Sequence, residues 1–157
     1  MNNSKQYFNK EQIIGRWHAK RLILDRNDLS VGRYDGEMNI SLNMDATKNN
    51  KASNAQNLFQ LDFTEVGIFK KNDLKYAFSQ AYRVEVSTNE FKVLFSNGLP
   101  FFTVNKKSNS QEINHFCKSD QYNGKIIFTT QTAFWVYFNV VGPKKNYYLK
   151  ALYKRYL

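Results

Sequence analysis

Apolar and polar residues alternate with a period of two over most of the chain. Met38, Ile40, Leu42 and Met44 alternate with Asn39, Ser41, Asn43 and Asp45, which gives a strand one face for a core and one for water. Phe59, Leu61 and Phe63 repeat the pattern, as do Tyr82, Val84 and Val86, then Phe91, Val93 and Phe95. Ser96-Asn97-Gly98 lies between two short apolar runs and is a strong hairpin signal, because asparagine and glycine tolerate positive φ. Lys106 to Ser110 and Asn123-Gly124 read as further turns, and Gly142-Pro143 closes the run from Phe134 to Val141. A last strand runs from Asn146 towards Leu157. Only the start of the chain (1-14) has helical character, with Ser4 as N-cap and Gly15 as the stop. The stretch Thr47 to Asn57 is rich in asparagine, lysine and alanine and reads as an exposed loop (47-57).

Many consecutive strands joined by short turns, one leading helix and no crossover helices predict an all-β fold. The expected architecture is a single antiparallel up-and-down β-barrel of about ten strands, one domain over 1-157, whose closure removes sheet edges.

At 157 residues the chain is long enough for one sizeable core. It contains no apolar run long enough to span a membrane as a helix, and its first residues lack the apolar middle of a secretory signal. Cys117 is the only cysteine, so no internal disulfide and no thiolate zinc site is expected, and a reducing, cytoplasmic setting fits. The formal charge of +10 admits nucleic acid, an anionic surface or an acidic small ligand as partner. The basic residues are scattered from Lys5 to Arg155 without one obvious stripe, which favours solvated loop charges.

Gly15-Arg16-Trp17 opens the first strand and Arg155 lies near the end of the last. This pairing resembles a lipocalin or, more broadly, a calycin, in which the tryptophan sits at the closed end of the barrel and a final-strand arginine crosses it. The resemblance implies structural roles for Gly15, Trp17 and Arg155. A wider set of segments is similar to an uncharacterised lipocalin-like family, domain of unknown function 6314. These are Arg21 to Arg26, Gly32-Arg33-Tyr34 with Gly36, Glu65 with Gly67, Asn97-Gly98-Leu99-Pro100-Phe101, His115-Phe116-Cys117 with Asp120, Tyr122 and Gly124, and Gly142 to Tyr147. Phe102 stands where that family usually has histidine, and Asn97 and Asn146 where it often has aspartate. The resemblance implies a fold and no activity.

If Trp17 points inward, the period of two sends Ala19, Arg21 and Ile23 inward with it, and the third strand carries Glu65 on its inner face with Phe59, Leu61 and Phe63. An unpaired interior charge is costly, so two readings stand: Arg21 and Glu65 neutralise each other, or Arg21 clamps a ligand carboxylate or phosphate. His115 shares a face with Ile113 and Cys117 and has three candidate roles: a hydrogen-bonded barrel histidine, a polar ligand contact, or an acid/base or haem-ligating group. His18 has the opposite parity to Trp17, so no two-histidine metal site is expected, and no motif asks for a cofactor.

Aromatic residues make up 16% of the chain, enough to line a barrel interior with apolar bodies and hydroxyl tips. The leading expectation is non-catalytic binding of a small, mainly apolar ligand with a polar or anionic end, lined by Arg21, Glu65, Tyr82, His115, Tyr137 and Tyr153. The alternatives are a small enzyme using His115 as acid or base, or a basic subunit docking RNA or an acidic partner on its outer face. For the latter, Tyr148, Lys150, Lys154 and Tyr156 share the outward parity of the last strand. The oligomeric state is expected to be monomer or homodimer.

Overall fold

The computed structural model describes residues 10–45 and 59–157. The elements run α1 (Lys10–Ile13), β1 (Gly15–Asp25), β2 (Val31–Leu42), β3 (Phe59–Lys71), β4 (Leu74–Val86), β5 (Glu90–Phe95), β6 (Pro100–Asn105), β7 (Ser110–Cys117), β8 (Asp120–Thr130), β9 (Ala133–Val141) and β10 (Asn146–Arg155). All ten strands belong to one antiparallel sheet in the order β6-β5-β4-β3-β2-β1-β10-β9-β8-β7. Consecutive strands therefore pair with each other except β6 with β7, and the first pairs with the last, which makes a nearly closed up-and-down barrel. The helical reading of 1-14 survives here as one short turn of helix; Ser4 and the predicted loop Thr47 to Asn57 lie outside the described residues.

The inner face follows the alternation in the sequence. Trp17, Ala19, Met38, Ile40, Leu61, Val84 and Val86 are buried in one core, while the residues between them face out. This core fills the end of the barrel where α1 lies. That end is closed by backbone accounting. The last carbonyls of a helix lack intrahelical partners, and here Arg155 donates to those of Glu11 (3.5 Å), Gln12 (2.5 Å) and Ile14 (2.7 Å). Trp17 Nε1 donates to the remaining one, Ile13, at 2.9 Å. Gly15 holds φ +137°, and a Cβ there would lie 3.3 Å from Arg155 Nη2. Glycine is thus suited to that position on conformation and on space.

Two expectations are corrected. Asn123-Gly124 is no turn: both lie inside β8, opposite Asn139 and Phe138 of β9. The real turn sits between β7 and β8, where Lys118 takes φ 57°. The sequence misled because Gly124 reads as a turn signal, whereas it serves to let Phe138 cross its own strand: a Cβ at Gly124 would overlap the Phe138 ring and the Tyr137 carbonyl. Closure is also incomplete. No strand ladder joins β6 to β7 among the described residues. Instead the side-chain amide of Gln111 imitates a backbone partner, accepting from Asn105 N–H at 2.7 Å and donating to its carbonyl at 2.6 Å. The Asn97-Gly98 hairpin forms between β5 and β6, with Gly98 at φ +85° and its N–H donating to Phe95 O at 2.9 Å.

Candidate ligand cavity

Strand parity brings Arg21 of β1 and Glu65 of β3 to the middle of the barrel. Arg21 Nη2 lies 2.5 Å from both carboxylate oxygens and 2.8 Å from the hydroxyl of Tyr153 on β10. Both side chains are nearly sequestered, at 9% and 4% exposure. The guanidinium also faces the rings of Tyr34 at 4.6 Å and Phe78 at 5.5 Å. The ring of Tyr34 has room because it passes over two glycines, Gly36 and Gly67, which are opposite each other in the β2–β3 ladder. Burial opposes the charge on Arg21, but the oxygens of Tyr153 and Glu65 outweigh it and hold the guanidinium above its ordinary pKa.

A hydrogen-bonded chain leads away from the pair. Gln80 donates to Glu65 Oε2 at 3.3 Å, and the Tyr82 hydroxyl donates to Gln80 Oε1 at 3.1 Å. Burial pushes the Tyr82 phenol up to about 12 and raises Tyr153 and Tyr34 as well. These phenols stay neutral at physiological pH, with Tyr82 donating to Gln80 and Tyr153 accepting from Arg21.

This polar layer stands between two cavities. The one towards α1 measures about 130 Å³, with walls that include Met38, Phe63, Val84, Phe102, Phe128 and Val136. The one towards the opposite end measures about 320 Å³ and is bordered by Arg21, Phe78, Tyr122, Phe138, Tyr147 and Leu149. Gln80, Tyr82 and Phe101 border both. At the outer mouth Lys145 donates to the Tyr122 hydroxyl at 2.9 Å and pairs with Asp120 at 2.9 Å, and these two partners keep its ammonium above the usual lysine range.

Of the six residues expected to line the ligand site, Arg21, Glu65, Tyr82 and Tyr153 form the polar layer. His115 stands apart from them: its ring packs on Phe101 (5.0 Å), Phe95 (5.6 Å) and Tyr122 (6.1 Å) of the larger cavity. Its Nε2 is buried without a hydrogen-bond partner. Tyr137 is elsewhere. In β9 the inner parity belongs to Phe134, Val136, Phe138 and Val140, and Tyr137 stacks on Trp135 outside the barrel, centroids 6.1 Å apart. The run Ala133 to Val141 is apolar at nearly every position, so no alternation announces its inner face. Gln80 and Phe101 were missed. Gln80 was within reach of the same reasoning, lying two residues before Tyr82 and opposite Glu65 in the ladder.

Cys117 is exposed, and no group of three or more histidine, cysteine, aspartate or glutamate side chains among the described residues is placed to hold a metal ion. No described helix is long and apolar enough to cross a membrane.

Fold and cavity together define a nearly closed ten-stranded barrel with a divided interior, and its fold is similar to that of solved structures. The S-type phycobiliprotein lyase CPES from Guillardia theta superposes with a TM-score of 0.61 at 11% identity, covering 94% of this chain and 90% of its own. A protein of unknown function from the DUF3598 family of Nostoc punctiforme gives 0.56 at 7% identity, covering 97% of this chain, which spans 51% of that protein. The chain belongs to a family of unknown function, DUF6314, whose model matches residues 13–155. No curated protein matches its sequence.

Proposed function

We propose that the protein is a lipocalin-like carrier, one domain over 1-157, that holds a small, mainly apolar molecule with a polar end inside the barrel and does not transform it. The divided interior carries this reading. A volume of about 320 Å³ falls within the range of ligand pockets, roughly 300–1,000 Å³. The inner space of about 130 Å³ matches what an apolar, dry cavity offers to a benzene-sized group, about 150 Å³. A ligand body in the outer cavity with an apolar tail passing Phe101 would use both.

Of the two readings of Arg21, the geometry favours the ion pair. Glu65 already neutralises the guanidinium, so an incoming anion would have to displace a buried carboxylate. A neutral hydrogen-bonding end meets no such penalty, and Tyr82, Gln80 and the unpartnered His115 Nε2 are the groups to receive it. The barrel shared with a phycobiliprotein lyase supports a small-molecule role. The proposed setting is the cytoplasm, where the lone thiol of Cys117 stays reduced.

Two fluorescent probes test this: N-phenyl-1-naphthylamine, which is neutral, and its relative 1-anilinonaphthalene-8-sulfonate, which is anionic. The neutral probe should bind with the higher affinity. Val136→Phe, which fills the inner cavity, should weaken it about tenfold, of the order expected when a buried apolar contact worth ~1–2 kcal/mol is lost. Native mass spectrometry of the purified protein should show retained small molecules. A barrel that takes up neither probe, or whose affinity ignores Val136→Phe, would overturn the proposal.

A further inference from the structure

The outer wall carries a second feature that the interior does not use. Ladder register places Arg33 opposite both Lys70 and Leu22, Leu22 opposite Lys150, and Lys150 opposite Tyr137. The same row continues to Lys75 on one side and to Lys125 on the other, where Glu112 ends it. All point outward, since the alternate positions in each strand face the core. Adjacent strands lie ~4.8 Å apart, so the cations recur at intervals of about 5–10 Å along one line across the sheet. The scatter of lysines along the sequence becomes a row only through strand pairing.

Among the described residues, Lys70, Lys75, Arg33, Lys125 and Lys150 form no ion pair. A carboxylate in the neighbouring row, that of Asp35, is held by His18 at 2.8 Å and Lys20 at 4.0 Å. The middle of the row is a groove of about 510 Å³ bounded by Arg33, Lys70, Lys150 and Trp135, with Leu22, Leu152 and the ion-paired Asp35 with its partner Lys20 also lining it. Beside it Trp135 and Tyr137 stack at an interplanar angle of 21°, and Lys150 Nζ sits 4.5 Å from the indole centroid and 5.8 Å from the phenol centroid.

A line of unpaired cations beside a stacked aromatic pair is the chemistry that recognises unpaired nucleotides. Phosphates follow the cations and a base takes the ring face, gaining ~1–3 kcal/mol per stacked base. We propose that this outer face docks single-stranded nucleic acid, with phosphates on Lys70, Arg33 and Lys150 and a base on Trp135. As the strand enters, the Lys150 ammonium exchanges the indole face for a phosphate and frees the ring. A duplex fits poorly, because its bases are already stacked and its persistence length of about 50 nm resists following a barrel wall. A flat membrane meets only a narrow strip of such a wall.

The chain supplies its own reporter. It has two tryptophans, and Trp17 is fully buried in the core, so quenching of the second reads the groove. Titration of the full chain with short oligo(dT) and oligo(U) should quench Trp135, with affinity falling steeply as salt rises. Removing two phosphate contacts in the double variant Arg33→Gln, Lys70→Gln should cost about 25-fold at 0.1 M salt and lower the salt slope by about 1.4. Trp135→Phe, followed by polarisation of a labelled oligonucleotide, should weaken binding while leaving the slope unchanged. The unfolding midpoint of each variant verifies the fold. Absence of binding, equal binding of duplex DNA, or equal quenching by phosphatidylserine vesicles would each overturn the assignment. None of these outcomes bears on probe binding inside the barrel, so the two proposals fail separately.

Discussion

Arg21 shows how one residue's energetics depend on its partners. Breaking a buried ion pair by removing one member typically costs ~3–5 kcal/mol, whereas replacing both with apolar groups is often near neutral. Glu65→Gln should therefore destabilise the barrel by about that amount in urea unfolding, and the double variant Arg21→Met, Glu65→Leu should recover most of it. Recovery would show that the pair solves a problem of its own making; continued instability would point to the wider network through Gln80 and Tyr153. The tyrosines add a pH dependence. Tyr82 titrates near 10.0 unfolded and about 12 folded. A group whose folded pKa is raised stabilises fully below the unfolded value, and its contribution is lost as pH climbs from there to the folded value. Stability should be flat up to about pH 9 and fall between about pH 10 and 12, and Tyr82→Phe should make the fall shallower. The inward parity of Arg21, Glu65 and Tyr82 was legible in the sequence, but not the geometry of their contacts: Arg21 is 44 residues from Glu65 and 132 from Tyr153.

At the scale of the element, β8 and β9 show why strand patterns fail to mark some positions. Gly124 does not adopt positive φ, unlike Gly15 and Gly98, so it is kept for space rather than for a bend. Gly124→Ala should destabilise by about 1–3 kcal/mol, the usual cost of overpacking, because one of the atoms it meets is backbone. Asn123→Ala, which changes an outward side chain on the same strand, should stay within about 0.5 kcal/mol. Equal effects in chemical denaturation would mean that neither position is packed as described. On β9 the uniform apolarity of the run hid which face Tyr137 occupies. Alternation is informative only where the two faces differ, and here the outer face is itself aromatic, with the Lys150 ammonium lying over both rings.

For the whole molecule, the seam between β6 and β7 decides how the barrel closes. Edges of a sheet expose unpaired donors and acceptors, and one side-chain amide, that of Gln111, covers both backbone groups of Asn105. Gln111→Ala should raise hydrogen exchange at the Asn105 amide about tenfold, the factor for a hydrogen bond worth ~1.4 kcal/mol, while amides in the β2–β3 ladder keep their protection. If exchange spread equally to β2 and β3, the seam would be part of the global unfolding unit and not a local opening. The family to which the chain belongs covers 13–155, so the seam, both cavities and the outer row all lie within the matched region.

The amino-acid sequence alone determined what is local: a residue's side of its strand, since the period of two is a property of the extended backbone, and the β5–β6 turn, since Asn97-Gly98 carries its own φ preference. Tertiary structure decided whatever depends on register. It brought Glu65 to Arg21, assembled scattered lysines into one row, gave Gln111 its backbone partner and left the sheet open by one seam. Register is set by the sum of core packing over ten strands, and no short stretch of sequence contains that sum.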